Sequence, residues 1–239
     1  MTTARRLVVR ESPQELWEAL LERWREAAGG ALSARGSFTA ALSGGRTPEG
    51  FYRELAGATG LPWPRTHLFL VDERLVAVGS PESNAALLRA SLIDRISSPA
   101  GSVHLPPPGE RLEQEAAEIY EREIRRHFGA APPVFDLVLL GLGADGHTAS
   151  LFPGSPELAE GSRLVVPVPA VPGRLARVSL ALPVINAARV VVFLVTGAEK
   201  RSALQRVLSG DRQLPGALVQ PREGRVEIFA DRAACPTCA

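Results

Sequence analysis

Two glycine-rich loops hold most of the residues able to do chemistry. In Gly141-Leu142-Gly143-Ala144-Asp145-Gly146-His147-Thr148-Ala149-Ser150, the glycines at 141, 143 and 146 predict a tight turn that brings backbone close to a ligand. Asp145 and His147 lie two apart in that turn. An imidazole titrating near neutrality can take a proton from water, and a nearby carboxylate can fix its tautomer. Ser43-Gly44-Gly45-Arg46-Thr47-Pro48 sits between an apolar run and a helix that can begin at Pro48. Helix-start amides with the positive end of the dipole would cradle a phosphate. Gly44 and Gly45 would let the backbone approach, Ser43 and Thr47 would add hydroxyls, and Arg46 a charge. The spacing matches neither G-x-x-x-x-G-K-[ST] nor G-x-G-x-x-G, so neither ATP nor a dinucleotide is indicated. The plainer alternatives are a Gly-Gly turn with Thr47 as N-cap, and a polar turn in which Asp145 and His147 cap local backbone.

A third charged group, Asp72-Glu73-Arg74, follows an apolar run directly, where charges need partners or a ligand. An internal salt bridge is the simpler reading for it, with Asp72 paired to a cation. Arg177 opens a later strand, and Lys200 stands in the first turn of a helix, where a cation is unfavourable unless an anion is near. His67 and His104 read as structural or surface residues. His127 ends a long helix, where a cation complements the dipole. No grouping has metal-ligand spacing, so neither a metal nor another cofactor is expected. Cys235 and Cys238, in CPTC, lack a second ligand pair and the strand–helix setting of a redox motif, and read as a reduced tail.

The elements that must position these loops alternate between strand and helix. Leu7–Val9 predicts a short strand, and Ser12-Pro13 a helix start, with Leu16, Trp17, Leu20, Leu21 and Trp24 at helical spacing and Gly29-Gly30 as its end. Ser37–Leu42, Thr66–Val71, Phe135–Leu140, Arg177–Leu182, Arg189–Thr196 and Arg225–Ala230 predict strands. Asn84–Ile93, Glu110–Phe128 and Ala198–Leu208 predict helices, the second with Leu112, Ala116, Ile119, Tyr120 and Ile124 on one face. Apolar runs without alternation mean strands covered on both faces. The expected fold class is therefore α/β: a doubly wound, mostly parallel, Rossmann-like sheet flanked by helices, in one domain over residues 1–239. In such sheets ligands bind beyond the carboxyl ends of the strands.

Composition narrows the partners. With 27 basic and 26 acidic residues the net charge is +1, which draws neither nucleic acid nor an anionic membrane. The N-terminal apolar run is too short for a secretory signal, and the longest apolar stretch, Val190–Val195, is far short of a membrane span. A cytoplasmic monomer or small homo-oligomer is expected.

Taken together, SGGRTPEGFYREL, FLVDERLV, SNAALLRASL, FDLVLLGLGADGHTASLFPGSP, RVSLALPVINAARVVVFLVTGAEK and VEIFAD resemble, in order, the 6-phosphogluconolactonase family. GLGADGHTASLFPG is the most specific of these segments. The resemblance implies the fold shared with glucosamine-6-phosphate deaminases, and hydrolysis of a small phosphorylated sugar lactone. It implies His147, Asp145 and Arg74 as catalytic residues, with Ser43, Gly44, Gly45, Thr47, Arg177 and Lys200 around the phosphate. The deaminases of this fold carry a glutamate just after the histidine. Here Thr148-Ala149-Ser150-Leu151-Phe152-Pro153 has no carboxylate, which disfavours the alternative of an amino-sugar phosphate deaminase or isomerase.

Overall fold

The computed structural model describes residues 5–96 and 99–237. β1 (Arg5–Arg10) leads through α1 (Pro13–Arg35), β2 (Phe38–Leu42) and α2 (Arg46–Gly57) to β3 (Thr66–Leu70) and β4 (Asp72–Arg74). Next come α3 (Asn84–Leu88), which continues as a π-helical turn over Arg89–Ile93, then β5 (Ser102–His104), α4 (Glu113–Phe128) and β6 (Leu137–Leu140). The chain closes with β7 (Val165–Val168), β8 (Arg177–Leu180), α5 (Leu182–Ile185), β9 (Val190–Val195), α6 (Arg201–Leu208), α7 (Pro215–Leu218) and β10 (Arg225–Asp231).

Seven strands form one sheet in the order β1-β10-β9-β6-β2-β3-β5, and every pairing in it is parallel. From β2 the chain steps outward through β3 to β5, then returns to β6 and steps outward the other way. The direction therefore reverses between β2 and β6, where a crevice must open beyond the strand ends.

Alternate residues of each strand feed two cores. Ala40, Leu42, Leu68, Leu70, Leu137, Leu139, Val192 and Leu194 pack beneath Trp24, Phe51 and Tyr52 of α1 and α2. Ala41, Phe69, Val138, Leu140, Val191, Phe193 and Val195 face Tyr120 and Ile124 of α4 and the later helices. Trp24 is fully buried against Phe38 at 5.0 Å, edge to face.

The structure revises several expectations. Gly29-Gly30 does not end α1, because Ala28 and Ala31 carry the buried stripe past it. The helix stops at Gly36, whose φ of 78° allows its amide to reach the Leu32 carbonyl. Arg177–Leu182 does not join the parallel sheet. β8 pairs antiparallel with β4 and β7 in a separate three-stranded sheet, and Leu182 already belongs to α5. The short strands β4, β5 and β7 lacked a run long enough to announce themselves. Leu112 precedes α4 and is 73% exposed, off the buried face. Cys235 is buried and disulfide-bonded, not part of a reduced tail, while Cys238 lies outside the described residues. Among the described residues no helix is long and apolar enough to cross a membrane.

At the β5 edge, three histidines meet under the C-terminal end of α4. The His127 ring lies 4.7 Å from that of His67 and 4.8 Å from that of His104, while His104 stacks on Phe69 at 4.3 Å. Burial first, then the neighbouring His104 and His67, push His127 down to about 4, with Glu123 opposing. His127 is thus neutral at pH 7, not the helix-end cation expected. Burial and His104 lower His67 as well. His127 and His67 take up protons more readily when unfolded. Their contribution to stability is complete above the ordinary value of about 6.5 and is lost as pH falls from there toward about 4. Chemical denaturation at pH 7 and pH 4.5 is expected to show that loss, and His127→Gln to reduce the difference between the two.

Candidate active site

The expected chemical residues converge on the crevice between β2 and β6. Ser43, Gly44, Gly45, Thr47, Arg74, His147, Arg177 and Lys200 all line a cleft of about 240 Å³, and Asp145 stands directly behind His147.

One wall is the β2–α2 turn. The Ser43 hydroxyl donates to the Leu139 carbonyl of β6 at 2.8 Å, and Tyr52 donates to the Ser43 carbonyl at 2.5 Å. Ser43 therefore pins the loop to the neighbouring strand as well as facing the cleft. Gly45 adopts φ 107° and caps α2 without a side-chain hydrogen bond. The helix begins at Arg46, two residues earlier than expected, which places Arg46 and Thr47 in its uncapped first turn. Thr47 shares a 3.0 Å hydrogen bond with Thr196 across the cleft floor. At Gly44 the requirement is close approach. A Cβ there would lie 1.8 Å from Oδ1 of Asn84, itself buried and without a hydrogen-bond partner.

The second wall is the β6 loop. Asp145 Oδ1 accepts from the His147 amide at 3.1 Å and lies 2.6 Å from its Nδ1. Burial raises the Asp145 carboxyl, but the His147 amide, charge and ring outweigh that and hold it below the usual range. An ionised Asp145 accepts a hydrogen bond from Nδ1–H, so the Nε2 lone pair of His147 is left for the cleft. The ring rests on Phe152 at 4.7 Å, and the Arg174 guanidinium lies over the phenyl ring at 3.8 Å from its centroid. Gly143 makes room for the pair, since a Cβ there would come within 2.1 Å of His147 Nδ1. Ala149 holds φ 51°, which costs an L-residue roughly 1–2 kcal/mol, and it too lines the cleft.

The small antiparallel sheet supplies the third wall. Its register sets Arg74 opposite Arg177. Arg74 donates to the Glu82 carbonyl at 2.6 Å and Arg177 to Ser150 Oγ at 3.3 Å, yet the Nε of each is buried without a partner. Burial first, then the charge of Arg74, lower Arg177, with Asp72 and Glu82 opposing. Two like charges held face to face form a site that an anion would stabilise. Among the described residues Lys200 has no ion-pair partner, and it lines the same space.

Among the described residues Asp72 forms no salt bridge, although its charge is felt by Arg177. It accepts from Ser150 Oγ at 2.6 Å and Asn84 Nδ2 at 3.3 Å, and it faces the cleft. Glu73 turns away and accepts from the amides of Arg74, Asn84 and Ala85, each at 2.7 Å. Burial raises its carboxyl, opposed by those bonds. Asn84, Thr196 and Glu199 also line the cleft without having been singled out from sequence. Asn84 carries no signal of its own, because a single Asn at a helix start reads as a cap.

A family model for glucosamine-6-phosphate isomerases/6-phosphogluconolactonase matches residues 11–228. The chain belongs to this family. A 6-phosphogluconolactonase of Synechocystis sp. is 41% identical over 209 residues, 85% of this chain and 86% of the relative. One of Homo sapiens is 42% identical over 234 residues, 93% and 90% of the two chains. The solved 6-phosphogluconolactonase of Thermotoga maritima superposes with a TM-score of 0.83 at 32% identity, covering 95% of this chain and all of that one. A monomeric glucosamine-6-phosphate deaminase reaches a TM-score of 0.77 at 18% identity over 96% and 98% of the chains, which shows the shared fold alone.

Two glycine substitutions test the site's packing. Gly143→Ala is expected to displace the His147 ring, lowering turnover at least tenfold while the far-ultraviolet circular dichroism stays unchanged. Gly44→Ala is expected to push Asn84 out of place and weaken retention of inorganic phosphate, measured by calorimetry.

Proposed function

We propose that the chain hydrolyses 6-phospho-D-glucono-1,5-lactone to 6-phospho-D-gluconate, the ester-hydrolase step of the oxidative pentose phosphate pathway. The observation that carries the reading is the Asp145–His147 pair facing a cleft whose other walls are an uncapped helix start and two opposed arginines.

His147 Nε2 takes a proton from water as that water attacks the lactone carbonyl carbon. Asp145 holds the ring in the required tautomer and offsets the imidazolium charge. Arg74 stands beside the developing oxyanion, where fixed positive charge lowers the barrier. Collapse of the tetrahedral intermediate breaks the bond from the carbonyl carbon to the ring oxygen. The imidazolium returns its proton to that oxygen, and the new acid ionises. The phosphate rests on the Gly44, Gly45 and Thr47 turn with Ser43 beneath, and Arg177 and Lys200 close around it. Its binding positions the reacting ester at a distance from itself. No step requires a cofactor. A diffusible phosphorylated substrate and a net charge of +1 fit a cytoplasmic enzyme, acting as a monomer or small homo-oligomer.

One observation favours the alternative of amino-sugar phosphate isomerisation or deamination. Asp72 is a buried carboxylate on the cleft wall, suited to moving a carbon-bound proton. Against it, among the described residues His147 touches no carboxylate other than Asp145. Thr148 donates instead to the Gly141 carbonyl, and Ser150 to Asp72.

The test follows proton release from freshly generated lactone above its spontaneous hydrolysis. The native chain is expected to accelerate it, His147→Ala to lose roughly 10²–10⁴ in rate, and Arg177→Ala to raise KM. Ammonia release from glucosamine 6-phosphate without lactone turnover would overturn the reading.

A further inference from the structure

The three histidines at the β5 edge take no part in the cleft chemistry, yet their arrangement is that of a ligand set. His67 comes from β3, His104 from β5 and His127 from the last turn of α4, and one ligand nitrogen from each falls within 4.8 Å of the others. Their protons are ordered by a chain of hydrogen bonds. Burial raises the Glu123 carboxyl, but His104 and Arg126 outweigh it and keep it ionised. Glu123 therefore accepts from His104 Nδ1–H at 2.6 Å, leaving a lone pair on His104 Nε2. Ser102 Oγ lies 2.6 Å from that Nε2 and 2.7 Å from His67 Nδ1. The hydroxyl gives its single proton to that Nε2 lone pair and accepts from His67 Nδ1–H, so His67 keeps its own lone pair on Nε2, and a metal ion on His104 Nε2 takes the place of the Ser102 hydroxyl. His127 makes no side-chain hydrogen bond among the described residues, and both its lowered proton affinity and that of His67 favour neutral rings at pH 7.

We propose that His67, His104 and His127 bind a divalent transition-metal ion of borderline softness, Zn²⁺ first, at a site separate from the catalytic cleft. Neutral imidazole is the ligand such ions prefer, and the carboxylate behind His104 is the customary support for a metal-bound histidine. Tetrahedral bonds of about 2.0–2.1 Å need the nitrogens roughly 3.3 Å apart. His67 and His127 are both only partly buried, so closing that gap calls for rotation of their side chains, with the Ser102 hydroxyl turning aside from His104 Nε2. The fourth position is left for water. The negative end of the α4 dipole favours a cation here. Arg126, paired with Glu123, is the charge that opposes it.

The chain, stripped with chelator and freed of it, is titrated with Zn²⁺ by calorimetry and with Co²⁺ by visible absorption. One equivalent is expected to bind, with the d–d bands of four-coordinate cobalt and no thiolate charge-transfer band, equally in the native chain and in His147→Ala. His67→Asn and His127→Asn are expected to weaken binding more than about 100-fold, and Glu123→Gln about 10–100-fold. Glu123→Gln keeps every ligand in place, so it tests the site even where a histidine variant folds poorly. Absence of saturable binding, retention of full affinity in all three variants, or loss in His147→Ala would each overturn the proposal. Lactone turnover is measured alongside and is expected to be indifferent to one equivalent of metal, so the outcome there bears on the catalytic reading alone.

Discussion

Strands β2 and β6 lie side by side with every residue of both buried, and that burial dictates what happens at their ends. The one polar side chain in these two strands, Thr39, is spent on Asp136 at the start of β2, so the chemistry is displaced to the turns that follow the strands. Because the chain reverses its direction of travel between these two strands, their turns diverge to opposite sides of the sheet and leave space between them. The Ser43 hydroxyl bond to Leu139 then fixes the height of one turn against the other strand. The opening between these two walls is a consequence of the sheet order.

The third wall arises differently. β4 leaves β3 after one residue, Val71, whose amide bonds back to Leu42 while its carbonyl accepts from Leu180. That single residue couples the parallel sheet to the antiparallel one and delivers Asp72 and Arg74 to the cleft together. The site thus combines two kinds of support. The His147 turn and the α2 start rest on hydrophobic layers, whereas Arg74 and Arg177 are held by cross-strand register, which keeps two like charges together against their repulsion.

What could be read from the sequence followed from this division. Loops that follow long apolar runs, such as those at Ser43 and Gly141, could be singled out because their glycine and hydroxyl residues come directly after a buried strand, although a plain turn reads the same from spacing alone. Arg177 and Lys200 were legible as cations out of place. Asn84 was not, since its importance lies in an unpartnered oxygen pressed against Gly44, which only three-dimensional contact reveals. The histidine cluster was invisible for the same reason: residues 67, 104 and 127 are far apart in sequence and share no periodicity. The short strands β4, β5 and β7 escaped because runs of three or four residues carry no measurable alternation. The Gly29-Gly30 pair misled because a helix docked by Ala28 and Ala31 tolerates a local propensity cost of about 1 kcal/mol per glycine.

The contact between Gly44 and Asn84 also constrains which substitutions this chain can accept. Positions 44 and 84 share one volume, so a side chain can be gained at the first only if one is shortened at the second. Shortening Asn84 would in turn strip a donor from both the carbonyl and the carboxylate of Asp72. Three positions spread over about forty residues are therefore coupled, so that a change at one strains or unpairs the other two.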